Sequence, residues 1–113
     1  MKVEDIIKAT NGKLLIGNLQ EDCENFCTDT RKIQDGDIYV GLKGEKFNGN
    51  EYYKEALDKG AKVVIISGIK VAQEDLEQYK NKTIIEVNDS LEAFGDIAAY
   101  KRELYDIPVV QIT

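Results

Sequence analysis

Residues 28–50 bring together the residue types that bind a nucleotide. Glycines let backbone N–H groups come close to an acceptor, and cations suit a phosphate. Hydroxyls suit a base edge or a sugar, and an aromatic ring can cover a planar ligand. The stretch TDTRKIQDGDIYVGLKGEKFNGN holds four cations, four glycines, two threonines and a phenylalanine: Arg31, Lys32, Lys43, Lys46, Gly36, Gly41, Gly44, Gly49, Thr28, Thr30 and Phe47. A nucleotide-like anion is the ligand that this combination predicts. The alternative is that the glycines are ordinary turns and the lysines an ordinary solvated face.

Other reaction chemistries are excluded by what the sequence lacks. Histidine is absent, which removes every Ser–His and Cys–His catalytic arrangement. Cys23 and Cys27 lack the C-x-x-C spacing of a redox or zinc site, and no second pair exists. We expect two free thiols in a reducing cytoplasm, with a local disulfide or an adventitious metal as the alternative.

Composition and charge narrow the class of partner. The chain has 113 residues, the size of one domain, and 42% of them are hydrophobic. Its net charge of −6 argues against nucleic acid or an anionic membrane as the main partner. The sequence contains no apolar run of transmembrane length, and its N-terminus lacks the apolar core of a signal peptide.

The elements that must position residues 28–50 alternate between helix and strand, which predicts an α/β fold. The last helix should bury a stripe of Leu91, Phe94, Ala98 and Tyr105, and Asn50 should cap the second helix. A φ > 0 turn is expected at Asp35-Gly36. The pattern predicts helices over 3–10, 51–60, 72–80 and 90–104, and strands over 13–17, 26–30, 37–43, 62–66, 83–87 and 108–113.

Residues 28–66 resemble the N-terminal domain of the Mur ligases. In that family an Asp-Ser-Arg triplet leads into a Gly-Asp-(Leu/Ile)-(Phe/Tyr)-Val-Ala-Leu-Lys-Gly strand, an Asp-Gly loop and a helix that ends in Gly-Ala. The segments LKGEKFNG and EAFGDIAAYKRELYDIPVVQIT resemble the MurF type more than the MurE type. MurF joins D-alanyl-D-alanine to UDP-N-acetylmuramoyl-tripeptide, and MurE adds the third residue of the stem peptide.

The resemblance implies a single small domain with a mixed β-sheet flanked by helices. Residues 1–107 would hold the UDP end of the peptidoglycan precursor, and residues 108–113 would be the first strand of a central ATPase domain outside this chain. ATP and Mg²⁺ would bind in the full-length enzyme, so this chain alone should be inactive. The implied partners are the UDP-muramoyl peptide and the missing central and C-terminal domains, in the cytoplasm, with neither nucleic acid nor membrane.

The resemblance also assigns binding residues, position by position. Thr30 stands where the family has the serine that contacts the uridine, and Asn48-Gly49 stands where Asp-Gly is usual. Asp29 would brace its loop. The residues implied to bind UDP are Thr30, Arg31, Glu45, Lys46, Phe47, Asn48 and Gly49, with no catalytic or metal-binding residue among them.

Two further interpretations stay open. The chain would be a freestanding nucleotide-sugar-binding module if it never carried an ATPase domain. It would be an interaction domain without a ligand if the lysines formed only a solvated face. An unpaired apolar strand at 108–113 argues against the freestanding module, because we expect a finished domain to end in a helix or a polar tail.

Overall fold

The computed structural model describes residues 1–105 and the side chains of residues 1–102. Helices and strands alternate along it as the sequence predicts. The helices are α1 (Val3–Thr10), α2 (Tyr53–Asp58), α3 (Gln73–Gln78) and α4 (Ser90–Tyr105); the strands are β1 (Lys13–Ile16), β2 (Phe26–Cys27), β3 (Ile38–Val40), β4 (Val63–Ile66) and β5 (Thr83–Glu86). Two short 3₁₀ helices, Thr30–Lys32 and Gly49–Tyr52, follow β2 and β3. The strand expected at 108–113 lies outside the described residues.

One five-stranded sheet, in the order β1-β5-β4-β3-β2, forms the centre of the domain. Strands β2, β3, β4 and β5 run parallel, and β1 pairs with β5 in the antiparallel direction. The fold is therefore α/β, a single small domain whose mixed sheet is flanked by helices, which confirms the expected fold class. In parallel sheets of this kind the loops at the carboxyl ends of the strands build the binding site.

Both faces of the sheet are buried, because successive strand residues point to opposite sides. In β4, Val63 and Ile65 face the layer of α1 and α4, whereas Val64 and Ile66 face the layer of α2 and α3. All four side chains are fully buried. The continuous apolar run of this strand follows directly from having helices on both faces.

Helix α4 buries a different face from the one predicted. Ala93 and Ile97 lie in the core, and Ile97 is only 1% exposed. Leu91 is 66% exposed, and Ala98 also faces solvent. The predicted stripe through these two residues was wrong, because Ser90 rather than Leu91 is the residue that bonds into the end of β4, at Ser67. This contact fixes the rotation of the helix.

The predicted cap of the second helix was also wrong. Asn48, not Asn50, caps the 3₁₀ helix, since its Oδ1 accepts from the backbone N of Asn50 at 3.0 Å. The Asn50 side chain is buried, and its Oδ1 accepts from the backbone N of Ser67 at 2.9 Å. Asn50 thus ties the loop after β3 to the end of β4. The turn at Gly36 has the expected positive φ, at 89°.

No helix among residues 1–105 is long and apolar enough to cross a membrane. Cys23 and Cys27 are both free thiols. Burial raises the pKa of the Cys23 thiol to about 11, so this side chain behaves as a small apolar core residue.

Candidate functional site

A cleft of about 440 Å³ opens where the loops after β2 and β3 converge. The first loop begins directly after Cys27, and the second leaves the sheet at Val40. The cleft therefore lies at the carboxyl edge of the parallel strands, where ligands bind in α/β sheets. Seven residues line it: Thr28, Asp29, Thr30, Arg31, Tyr39, Phe47 and Tyr52.

The wall from the first loop is held by an ion pair between Asp29 and Arg31. Asp29 Oδ1 accepts from the backbone N of Arg31 at 2.9 Å and from its Nε at 3.0 Å. Asp29 Oδ2 accepts from Arg31 Nη2 at 2.9 Å. These bonds lower the pKa of Asp29 from 3.8 to about 2 and raise the pKa of Arg31. Asp29 braces the loop, as a charged hydrogen-bond acceptor at the start of the 3₁₀ helix does.

The two threonines of this wall offer hydroxyls to the cleft. Thr28 and Thr30 both line it, and Thr30 opens the 3₁₀ helix. Neither hydroxyl makes a side-chain hydrogen bond to another described residue, whereas the hydroxyl of Thr10 bonds to Ile6 O at 2.8 Å. Each can therefore donate to a ligand and accept from it.

The opposite wall is a hairpin between β3 and the second 3₁₀ helix. Lys43 pairs with Asn48, and Gly44 N donates to Phe47 O at 2.8 Å. Glu45 and Lys46 are therefore the exposed tip of a tight turn, and neither lines the cleft. Phe47 lines the same cleft as Thr30, with 57% of its surface exposed.

Asn48 and Gly49 close the hairpin at its base. Gly49 O accepts from the hydroxyl of buried Tyr39 at 2.7 Å, and burial raises the pKa of Tyr39 to about 12. A Cβ on Gly49 would lie 2.7 Å from Leu42 O and 3.1 Å from Tyr39 Oη, so the close approach requires glycine. Asn48 faces a separate groove of about 300 Å³ on the other side of the hairpin, which Lys43 also lines.

The seven residues assigned from the resemblance are thus divided by the hairpin. Thr30, Arg31 and Phe47 meet in the cleft, Gly49 supports it from behind, and the other three lie at the hairpin tip or beyond it: Glu45, Lys46 and Asn48. Their role in binding stays a prediction.

Sequence reasoning missed two residues that line the cleft, Tyr39 and Tyr52. The signal for Tyr39 was its alternation with Ile38 and Val40, which places it on the face opposite theirs. Tyr52 looked like an ordinary helix residue because the helix was predicted to begin at residue 51. The 3₁₀ helix instead brings its ring to Phe47, with centroids 5.7 Å apart and planes at 60°.

No group of three or more His, Cys, Asp or Glu side chains among the described residues could hold a metal ion. The sequence also contains no Gly-x-x-x-x-Gly-Lys-(Ser/Thr) phosphate loop. The described residues therefore do not fit a Mg²⁺–ATP site.

Comparison with known proteins connects this architecture to one family. The model of the Mur ligase family, catalytic domain, matches residues 24–102. The UDP-N-acetylmuramoyl-tripeptide–D-alanyl-D-alanine ligase of Synechocystis sp. is 35% identical over 103 residues, which cover 88% of this chain and 21% of the relative. The UDP-N-acetylmuramoyl-L-alanyl-D-glutamate–2,6-diaminopimelate ligase of Clostridium tetani is 31% identical over 99 residues, 88% of this chain and 20% of the relative.

Solved structures share the fold. MurF from Acinetobacter baumannii superposes with a TM-score of 0.74 and 23% identity, over 93% of this chain and 22% of that one. MurF from Thermotoga maritima in complex with ADP superposes with a TM-score of 0.58 and 24% identity, over 73% of this chain and 17% of that one.

The relatives and the family model both point to the Mur ligases. The chain spans about a fifth of the length of the curated relatives it matches. The family model covers residues 24–102, the segment that contains four of the five strands, α2, α3 and the whole cleft. The resemblance seen in the sequence is confirmed: this chain belongs to the Mur ligase family.

Proposed function

We propose that this chain is the domain that holds the UDP end of a UDP-muramoyl peptide in an ATP-dependent peptidoglycan-precursor ligase. The observation that carries the proposal is the cleft at the carboxyl edge of the sheet, where Thr30, Arg31 and Phe47 meet. A planar base, a sugar and a diphosphate require a ring surface, hydroxyls and a cation, and the cleft supplies all three.

Binding the nucleotide end contributes to a reaction at the distant carboxyl group. Contacts remote from the reacting atoms lower the barrier when they orient the reacting end. The residues of this chain would bind and orient the precursor. ATP would phosphorylate the carboxyl group elsewhere in the full-length enzyme, where Mg²⁺ would also bind.

The ligase that we favour is the D-alanyl-D-alanine-adding type. The relative from Synechocystis sp. bears that name, and the structures from Acinetobacter baumannii and Thermotoga maritima are MurF. The diaminopimelate-adding type is the second candidate, since relatives from Clostridium tetani and Clostridium botulinum, 31% and 33% identical, carry that name.

The domain arrangement is part of the same proposal. Residues 1–107 would form the UDP-binding domain, and residues 108–113 would lead into a central ATPase domain, in a cytoplasmic enzyme. Sequencing the reading frame beyond Thr113 tests this arrangement. A Gly-x-x-Gly-Lys-Thr directly after Thr113 supports it, whereas a stop codon would favour the freestanding nucleotide-sugar module.

Phosphate release by the full-length protein tests the reaction. We expect ATP-dependent release with UDP-muramoyl tripeptide and D-alanyl-D-alanine, and background release with UDP-muramoyl dipeptide and diaminopimelate. The reverse pattern would establish the second candidate, and release with neither pair would refute the ligase proposal. Residues 1–113 alone should give background ATP hydrolysis, which serves as the control.

A further inference from the structure

A groove of about 300 Å³ lies on the other side of the hairpin from the cleft. The hairpin and the 3₁₀ helix after it contribute Lys43, Asn48 and Asn50 to this groove. The opposite wall comes from the loops after β4 and β5 and from the first residues of α4. The groove therefore lies at the same carboxyl edge of the sheet, where loops from successive strands converge. Its lining shares no residue with that of the cleft.

The side-chain amides of Asn48 and Asn50 bring hydrogen-bond donors to the groove. Asn48 Oδ1 accepts from the backbone N of Asn50 at 3.0 Å and from its Nδ2 at 2.8 Å. Asn50 Oδ1 accepts from the backbone N of Ser67 at 2.9 Å. Both amide oxygens are therefore engaged, and the N–H groups that donate to no described residue are two on Asn48 and one on Asn50. Asn50 is only 2% exposed, and a buried N–H requires an acceptor.

The loops after β4 and β5 add donors from the other wall. Ser67 Oγ accepts from the backbone N of Ser90 at 3.0 Å and donates to Ser90 Oγ at 3.2 Å, and both serines are buried. The two hydroxyls carry two protons and form one bond with each other, so one proton has no acceptor among the described residues. The backbone N–H groups of Gly68 and Asn88, which also line the groove, donate to no described residue. Both walls of the groove therefore offer donors.

The charges of the groove favour an anion. Lys43 lines it and forms no ion pair with a described residue. The carboxylate of the lining is that of Asp89, whose Oδ1 accepts from the backbone N of Leu91 at 2.9 Å and from that of Glu92 at 3.2 Å. The partial positive charge at the start of α4 offsets the charge of Asp89. The charge of Lys43 is thus left to attract a ligand.

We propose that this groove is a second binding site, which takes an oxyanion: the carboxylate or phosphoryl group of a small molecule. An oxyanion offers several acceptor oxygens and a negative charge, which match a lining that is rich in donors and carries a lysine. Lys43 supplies the charge, and Asn48, Asn50 and the serine pair supply hydrogen bonds. The site is distinct from the cleft that we propose for the UDP end and does not depend on that function.

Nuclear magnetic resonance titration of the 113-residue chain tests the site. The probes are sodium phosphate and sodium acetate, with sodium chloride at the same ionic strength as the reference. We expect saturable shifts of the side-chain amide signals of Asn48 and Asn50 and of the backbone amide signals of Gly68 and Asn88. The affinity should fall as salt is added, because screening weakens the attraction to Lys43. Tighter binding of phosphate supports the site and identifies a phosphoryl ligand, and tighter binding of acetate supports it and identifies a carboxylate ligand.

Three variants assign the binding to the groove. Lys43→Gln removes the charge and should weaken anion binding by about tenfold, the scale of a charged hydrogen bond. Asn48→Asp keeps the cap of the 3₁₀ helix, because aspartate caps as well as asparagine does, but it replaces the free amide by a carboxylate. It should abolish saturable binding. Lys8→Gln is the matched control: it makes the same change of charge on α1, outside the lining of the groove, and should leave the affinity unchanged.

Three results would contradict the site. Shifts that do not saturate, or that sodium chloride reproduces at the same ionic strength, would mean that the groove holds only water. Equal weakening by Lys43→Gln and Lys8→Gln would show a general electrostatic effect. Unchanged affinity in a folded Asn48→Asp would mean that the amides do not bind the anion. If Asn48→Asp unfolds, Lys43→Gln still decides the question, because Lys43 is exposed. Failure of UDP to bind the same chain would refute the proposed function and leave this site standing.

Discussion

At the scale of single residues, removing the hydroxyl of Thr30 is the most direct test of whether the cleft binds the UDP precursor. Thr30→Val keeps the shape of the side chain and removes only the hydroxyl. In the full-length ligase it should raise the Michaelis constant for the UDP precursor about fivefold, the equivalent of one hydrogen bond of about 1 kcal/mol.

Thr10→Val is the matched control, since Thr10 bonds to its own helix α1, outside the cleft lining. It should leave the Michaelis constant unchanged. An unchanged constant in Thr30→Val, with the fold intact, would place the uridine elsewhere.

The pair of Asp29 and Arg31 makes a pH-dependent prediction at the same scale. Hydrogen bonds from Arg31 lower the pKa of Asp29 from 3.8 to about 2. Because the folded-state pKa is the lower one, the stability that the pair contributes is present above pH 3.8. It is lost as the pH falls through 2. Carboxyl ¹³C shifts should show Asp29 titrating near 2, and Arg31→Gln should move its midpoint up towards 3.8. A midpoint that stays low in that variant would mean another group lowers this pKa.

At the scale of elements, the hairpin after β3 decides which residues can share a ligand. Its turn at Gly44 and Phe47 sends Phe47 to one side and Asn48 to the other. Phe47 and Asn48 are adjacent in sequence, but Phe47 lines the cleft and Asn48 lines the groove. The loop acts as a partition between the cleft and the groove.

The packing of helix α4 predicts how truncation of its side chains affects the stability of the fold. Ile97 is fully packed and Leu91 is exposed, so their truncations should differ sharply. Ile97→Ala should lower the free energy of unfolding by about 2–4 kcal/mol, through lost burial and a cavity. Leu91→Ala should change it by less than about 0.5 kcal/mol. Urea unfolding followed by circular dichroism measures both, and equal losses would mean that the helix packs through the sequence-predicted stripe.

At the scale of the whole molecule, buried tyrosines join α2 and α3 into one layer that packs on the sheet. Tyr53 donates to Asp75 and Tyr79 donates to Asp58, each at 2.8 Å. Burial, and then these bonds to carboxylates, raises the pKa of Tyr53 and raises that of Tyr79 to about 12. Burial does the same for Tyr39. The protonated phenols therefore contribute to the stability of this layer.

Alkaline titration tests this layer. Because the folded-state pKa values lie above the ordinary value of 10, the stability from these tyrosines is complete below pH 10. It is lost as the pH rises through about 12. Absorbance at the phenolate band should show Tyr39, Tyr53 and Tyr79 ionising late, together with loss of helical signal. In concentrated urea Tyr39, Tyr53 and Tyr79 should titrate near 10. Ionisation of these three tyrosines near pH 10 in the folded chain would contradict the packing.

The sequence by itself determined the features that rest on local patterns. Alternation of residues predicted the strand β3, and the apolar run of β4 predicted a strand buried on both faces. The pair Asp35-Gly36 predicted the turn, where Gly36 has a positive φ. The motifs of residues 28–66 resemble those of the Mur ligase family, and the family model matches residues 24–102. These signals could be interpreted because each arises within one continuous segment of the sequence.

Only the tertiary structure decided the features that depend on contacts between distant segments. Asn50 bonds to Ser67, 17 residues away, so it joins two loops and leaves the capping to Asn48. Ser90 bonds to Ser67 across 23 residues and thereby sets the rotation of α4. Tyr52 reaches the cleft because the 3₁₀ helix delays the start of α2. Burial and hydrogen bonding across the sheet outweigh local propensity at these positions, and no pattern in the adjacent sequence encodes them.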